Sequence, residues 1–267
     1  MPPRAFPLRP RRGPHIAALA AACLLLPAPL LAQVDIESLR RDDAPSGVSG
    51  SLGGDLTMTT GNVDFVRVTL NGRLNWVRGQ ATTLVIGEGG LGFLAGDRFS
   101  SSGLLHLRRT HWIAARLAPE WYAQINYDRP QLLDFRALAG AGARLQVAQG
   151  DWGGLGAGVS IMLEHERLDL PDTAIHENRT QTLRNSTFVT IRLVGGDRLV
   201  VTSTAYVQPA LDDVFGDLRV LENLRLAASL SDQLALTVTF DLRYDSGPPD
   251  GTAALDTQLR TGVTFTY

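Results

Sequence analysis

Lysine is missing from this chain, and its one cysteine, Cys23, falls in an amino-terminal leader. Beyond the leader there is no disulfide framework to build, no thiol nucleophile and no cysteine-ligated metal. Every basic residue that remains is arginine. No stretch after Ala32 approaches the ~18 consecutive apolar residues of a transmembrane helix. Nor does any linker, charge block or low-complexity tract divide the roughly 235 residues after Ala32, so they read as one domain.

The leader carries Arg4, Arg9, Arg11 and Arg12, then the apolar run IAALAAACLLL, then PAPLLA ending at Ala32. That is the order of a signal peptide over residues 1–32, with an apolar region too short to span a bilayer. Gly13-Pro14-His15 after the arginine pair does not fit a twin-arginine signal, and the apolar LLLPAPLLA after Cys23 does not fit a lipoprotein tether. The four arginines are the only charges in the leader, so 21 basic residues stand against 27 acidic ones after it, a formal charge of −6. Residues 33–47 are polar and mixed in charge and are expected to form a short periplasmic leader to the folded part, residues 48–267.

What fills that part is alternation. In QLALTVTFDLRYD, residues Leu234, Leu236, Val238, Phe240, Leu242 and Tyr244 share one parity and Thr237, Thr239, Asp241, Arg243 and Asp245 the other. Such a period of two over about eleven residues is a strand. A Gly/Pro/Asp turn, Ser246 to Gly251, joins it to a second run with Leu259, Thr261, Val263, Phe265 and Tyr267 opposite Asp256, Gln258, Arg260, Gly262, Thr264 and Thr266. Val263, Phe265 and the terminal aromatic Tyr267 are the expected assembly signal. The same pattern recurs in Val48–Met58, Val66–Trp76, Thr82–Ile86, Ser101–Ile113, Trp121–Tyr127, Phe135–Val147, Leu155–Leu163, Gln181–Leu193, Arg198–Gln208 and Leu218–Leu230. Adjacent Arg108 and Arg109 require an interface or a bulge, and Glu222 lies on the apolar parity.

Parity alone fits a soluble sandwich as well as a membrane barrel. The connections discriminate: Arg78-Gly79, Leu117–Glu120, Gln149–Asp151, Gly195–Asp197 and Ser231-Asp232 are terse, whereas Asp169–Arg179, Pro209–Asp217 and Ser246–Ala254 are long and polar. Short turns on one side and long loops on the other mark an outer-membrane barrel. The expected fold is all-β, an antiparallel transmembrane β-barrel of about 12 strands in the bacterial cell outer membrane. Trp76, Trp112, Trp121, Trp152, Tyr244 and Tyr267 are expected at its interfacial girdles.

Tyr206-Val-Gln208-Pro209, Asp217-Leu-Arg219 and Leu242-Arg-Tyr244-Asp245-Ser-Gly-Pro248-Pro249 together resemble the salt-induced outer-membrane protein family, also called the domain-of-unknown-function 481 family. The Gly61-Asn62 turn and Arg136–Arg144 match it too, and the resemblance covers residues 48–267. Leu218 departs from it where members tend to carry an aromatic. The resemblance implies an outer-membrane barrel with no established activity, and no catalytic residues.

Candidate chemistry is thin. His165, between Glu164 and Glu166, points away from both in a strand. The glycines from Gly153 to Gly158 lack the helix and lysine of a phosphate loop. The triplets at Asn178 and Asn185 carry no meaning in a bacterial outer membrane, and no local motif pairs Ser with His. Loop carboxylates Asp169, Asp172, Glu177, Asp212, Asp213 and Asp250 could hold divalent cations beside lipopolysaccharide or stand solvated. No cofactor, metal or nucleic-acid site is expected; the expected partners are outer-membrane lipids and lipopolysaccharide, the Sec export and barrel-assembly machinery, around a monomer.

The lumen is the remaining candidate. Arg67, Arg73, Arg136, Arg144, Arg192, Arg219, Arg225, Arg243 and Arg260 fall on polar faces with Asp55, Asp134, Glu164, Glu166, Asp241, Asp245 and Asp256. Paired across the interior they form a plug; clustered on one wall they line a narrow pore for small anionic solutes. The expected role is a structural or envelope-stress component. A diffusion pore, and then an outer-membrane lipid-modifying enzyme, are the alternatives.

Overall fold

The computed structural model describes residues 45–59 and 65–266. The expected signal segment, most of the leader, the Gly61-Asn62 turn and Tyr267 lie outside the described residues. Twelve strands follow in chain order: β1 (Gly47–Thr59), β2 (Phe65–Arg78), β3 (Ala81–Leu94), β4 (Asp97–His111), β5 (Leu117–Asp128), β6 (Leu133–Gly150), β7 (Gly153–Leu168), β8 (Arg179–Gly195), β9 (Leu199–Pro209), β10 (Leu218–Ser229), β11 (Leu234–Asp245) and β12 (Leu255–Thr266). Each pairs antiparallel with its sequence neighbours, and β12 returns to β1 to close the barrel. The closing seam is short, running from Ser51↔Thr266 to Gly54↔Val263. Pairing of the last strand with the first closes the sheet on itself, the condition for putting strands in lipid.

The wall is inverted relative to a water-soluble protein. Leu70 and Leu259 are each 63% exposed, while Arg144 and Glu164 are each 1% exposed. Large apolar side chains outside and charges inside follow from strand alternation once the outer face meets hydrocarbon. Trp76, Trp121 and Trp152 are exposed on the outer surface at the end carrying the turns 79–80, 112–116, 151–152, 196–198 and 230–233. At the opposite end, connections 169–178, 210–217 and 246–254 are longer, whereas 95–96 is a two-residue turn. There Ala95 (φ 50°) and Gly96 (φ 90°) both have positive φ, the backbone a tight hairpin with right-twisted strands requires.

The structure corrects three expectations. The fourth connection is 112–116, and Leu117–Glu120 already belong to β5, with Ala118 and Glu120 buried on its inner face. The third strand runs well past Ile86 to Leu94, and Leu84 and Ile86 point inward, where Leu104 packs on them. Asp134 does not line the lumen: the β6–β7 register shifts between Leu133 and Phe135, and this bulge swings Asp134 outward to meet Arg167 at 2.6 Å.

The two irregular charges are also explained. Arg108 is buried in the lumen beside Glu120, while Arg109, near the short-turn rim, donates from Nη1 to Thr83 Oγ1 at 2.6 Å. Glu222 remains on the outer wall without a bulge, and Ser203 of β9 donates to it at 2.7 Å.

Candidate functional site

Inward positions of β6, β7, β8, β10 and β11 bring one ion network together near the long-loop end. Glu164 Oε1 accepts from Arg184 Nε at 2.9 Å and from Arg219 Nη1 at 2.7 Å, and Arg136 Nε lies 3.4 Å from Oε2. Arg136 also binds Glu166 through Nε and Nη2. Arg219 reaches Glu166 Oε2 and Asp245 Oδ2, each at 2.9 Å. Arg184 takes both oxygens of Asp217 at 2.7 Å in the forked geometry that guanidinium and carboxylate favour. Since β10 and β7 are three strands apart around the wall, Arg219 spans the interior rather than a neighbouring rung.

Two further layers fill the tube. Arg260 of β12 contacts Glu88 of β3 at 3.3 Å and Asp241 of β11 at 3.0 Å, and Asn223 donates to Asp241. Asp55, Arg67 and Arg225 stand within electrostatic reach of Arg260, and Arg225 donates to Thr264. In the third layer, His106 pairs with Gln124 and Tyr122 OH with Ser160 Oγ at 2.9 Å. Arg108 lies over the Tyr122 ring and Arg144 over Phe188, which packs on Tyr206. All of these but Arg144 line a cavity of about 50 Å³, room for water.

The mouth is bridged as well. The 3₁₀ turn Arg129–Gln131 after β5 places Gln131 across the opening, where it accepts from Arg243 Nη1 at 3.2 Å and donates to Asp256 at 2.8 Å. Outside the wall, Asp250 Oδ2 in the last loop accepts the backbone amides of Ile175 at 2.5 Å and His176 at 2.8 Å, tying loop 246–254 to loop 169–178. Those two amides hold the Asp250 carboxyl below the usual aspartate range. A depressed folded-state value means the latch is fully present above the unfolded aspartate value and is lost as pH falls through the folded one. Limited proteolysis of loop 169–178 is therefore expected to accelerate for Asp250→Ala at neutral pH, and in the wild type only under acid. Equal cleavage of wild type and variant at neutral pH would dismiss the latch.

Of the lumen residues expected from sequence, Arg67, Arg73, Arg136, Arg144, Glu164, Arg192, Arg219, Arg225, Asp241, Arg243 and Arg260 all lie on inward faces; Asp134 alone does not. Arg184, His106, Glu120 and Gln131 complete the filling, although nothing in the sequence singled them out. Arg184 could have been found: it alternates inward between Leu183 and Asn185 on a strand whose apolar face is clear. Gln131 could not, because it stands in a turn. The sequence motif residues converge here too, with Asp217, Arg219 and Asp245 in the ion network, Tyr206 against Phe188, and Gln208 donating to Ser186. Tyr244 faces outward, and Pro248 and Pro249 lie in the loop beyond it. Val263 and Phe265 are on the outer wall of β12.

A closed, inverted wall around a polar, charge-filled interior defines a transmembrane β-barrel. The chain belongs to the family described as protein of unknown function DUF481, matched over residues 51–267. No curated protein matches it. Among solved structures it is similar to the translocator domain of the autotransporter NalP from Neisseria meningitidis (15% identity, 85% of this chain and 90% of that one, TM-score 0.47). It is similar also to the NanC porin (7%, 81% and 98%, 0.49) and the KdgM porin (7%, 82% and 99%, 0.42).

Proposed function

We propose that the protein is a structural or envelope-stress component of the bacterial outer membrane, a barrel closed in its resting state rather than a standing diffusion pore. The observation that carries this reading is Arg219, which crosses from β10 to Glu164 and Glu166 on β7 and is itself 6% exposed. A conducting lumen keeps its arginines hydrated along one wall. Here the guanidiniums of Arg136, Arg184, Arg219 and Arg260 are matched to carboxylates, and Gln131 bridges the mouth. No catalytic role is assigned: Ser160 is engaged by Tyr122, and His106 by Gln124. On this reading the barrel is a monomer exported by the Sec route, inserted by the barrel-assembly machinery and surrounded by outer-membrane lipids and lipopolysaccharide.

Refolded protein with insertion verified by anomalous gel mobility before boiling is expected to leave a planar bilayer silent at low voltage. Discrete conductance steps with a reversal potential near that of the anion would replace this reading with the arginine-lined pore.

A further inference from the structure

The outer wall over β4–β7 is not a uniform hydrocarbon-facing surface. Two rows of outward side chains run across it in register, Leu105–Ile125–Ala137–His165 and, one step toward the short-turn end, Leu107–Ala123–Ala139–Leu163. With alanine at three of the four central positions, the rows leave a groove of about 450 Å³ floored by methyl groups and walled by leucine and isoleucine. At its long-loop end the wall turns cationic. His165 lines the groove, and its Nδ1 is buried without a hydrogen-bond partner. One row further out, Phe135, Arg167 and Arg179 are in register, so two exposed arginines face each other across β7 and β8. Like charges directly opposite on one face repel. Asp134 answers only one of them, at 2.6 Å from Arg167, whose guanidinium lies 5.9 Å from the Phe135 ring centre. The carboxylates Asp169, Asp172 and Glu177 sit in the adjoining loop, beyond the strand ends.

We infer that this face is a binding site for the phosphorylated, multiply acylated glycolipid of the outer leaflet, with one acyl chain in the alanine groove and a phosphate drawn to Arg179, Arg167 and His165. Groove and cations together select this occupant. An acyl chain alone would fit the groove without needing charge. A free phosphate would have no use for an apolar cleft opening directly beneath it. The order along the strand, apolar below and cationic at the long-loop rim, matches the order of chain and phosphate in a lipid of that leaflet. The inference rests on the outer-membrane reading above.

The test is native mass spectrometry of full-length barrel refolded in detergent, washed, and offered purified diphosphorylated lipid A, its dephosphorylated form, phosphatidylglycerol or phosphatidylethanolamine. One retained lipid A per barrel is expected. Retention should fall at least about tenfold for dephosphorylated lipid A and for R167Q/R179Q, since a single lost charge-assisted hydrogen bond is enough for that factor. It should fall by about as much for A137L/A139L, where a filled groove forfeits the burial of two or more methylenes of the acyl chain. The two double variants act on different parts of the site, and heat-modifiable gel mobility shows that each has folded. Equal retention by wild type and both folded variants, retention of phosphatidylglycerol as strong as that of lipid A, or no retention at all would overturn the site. A protein that lacks the mobility shift and stays out of vesicles would instead overturn the outer-membrane reading on which it rests.

Discussion

Glu164→Gln is expected to destabilise the barrel by about 3–5 kcal/mol, the cost of removing one member of a buried ion cluster. The substitution keeps the shape of the side chain and deletes the charge on which Arg136, Arg184 and Arg219 converge. Each arginine retains another carboxylate, Glu166, Asp217 or Asp245, but Arg243 shares Asp245 at 3.6 Å, so the four carboxylates around four guanidiniums would become three. Burial makes the imbalance expensive, because a guanidinium in the filled lumen has lost the water that would otherwise offset a missing carboxylate. The cluster need not add net stability over an apolar filling, since whole buried ion networks can be exchanged for hydrophobic packing at little loss. What it supplies is occlusion with a defined register. Accordingly E164Q/R219M should lose less than the two single variants together, as residues in contact are not additive. Urea titration of the refolded protein, followed by tryptophan fluorescence, reads both quantities. A loss below about 1 kcal/mol for E164Q, no more than an ordinary hydrogen bond, would mean that the carboxylate is hydrated and the lumen wet.

Val189→Arg is expected to cost about 2–4 kcal/mol, the penalty for arginine on the lipid face at mid-membrane. Val189 sits near the centre of β8 with Ala157 and Ala205 beside it, and is 46% exposed. On the surface of a water-soluble barrel the same change would fall within about ±0.5 kcal/mol. Leu193→Arg, two residues from the end of β8, should cost only about 0–1 kcal/mol because the side chain can reach the headgroup region. Refolding equilibria in lipid vesicles measure both variants. Equal small costs at the two depths would falsify the membrane-facing assignment of the outer wall.

The lumen residues divide by whether their strand keeps its period. Where alternation runs unbroken, as in β11 and β12, each inward residue was legible: Asp241, Arg243, Asp245, Asp256, Gln258 and Arg260 all face inward as their parity requires. Asp134 was misplaced because a bulge inserts one residue without changing composition, and a one-residue slip sends a side chain through the wall. Leu84 and Ile86 mislead for another reason. Hydrophobicity indicates the lipid face only while the interior is wet, and part of this interior is packed.

The sequence by itself determined the strand period, the even strand number, the sorting of most connections by length and the wall to which most charges belong. All of these are local, fixed by which side of a pleated chain successive residues take. Whether the charges form a pore or a plug depends on which guanidinium meets which carboxylate across two intervening strands, as Arg219 meets Glu164 and Arg260 meets Glu88. Closure of the barrel and the register of each seam set those distances. No local pattern encodes them, so only the tertiary structure decides that this lumen is filled.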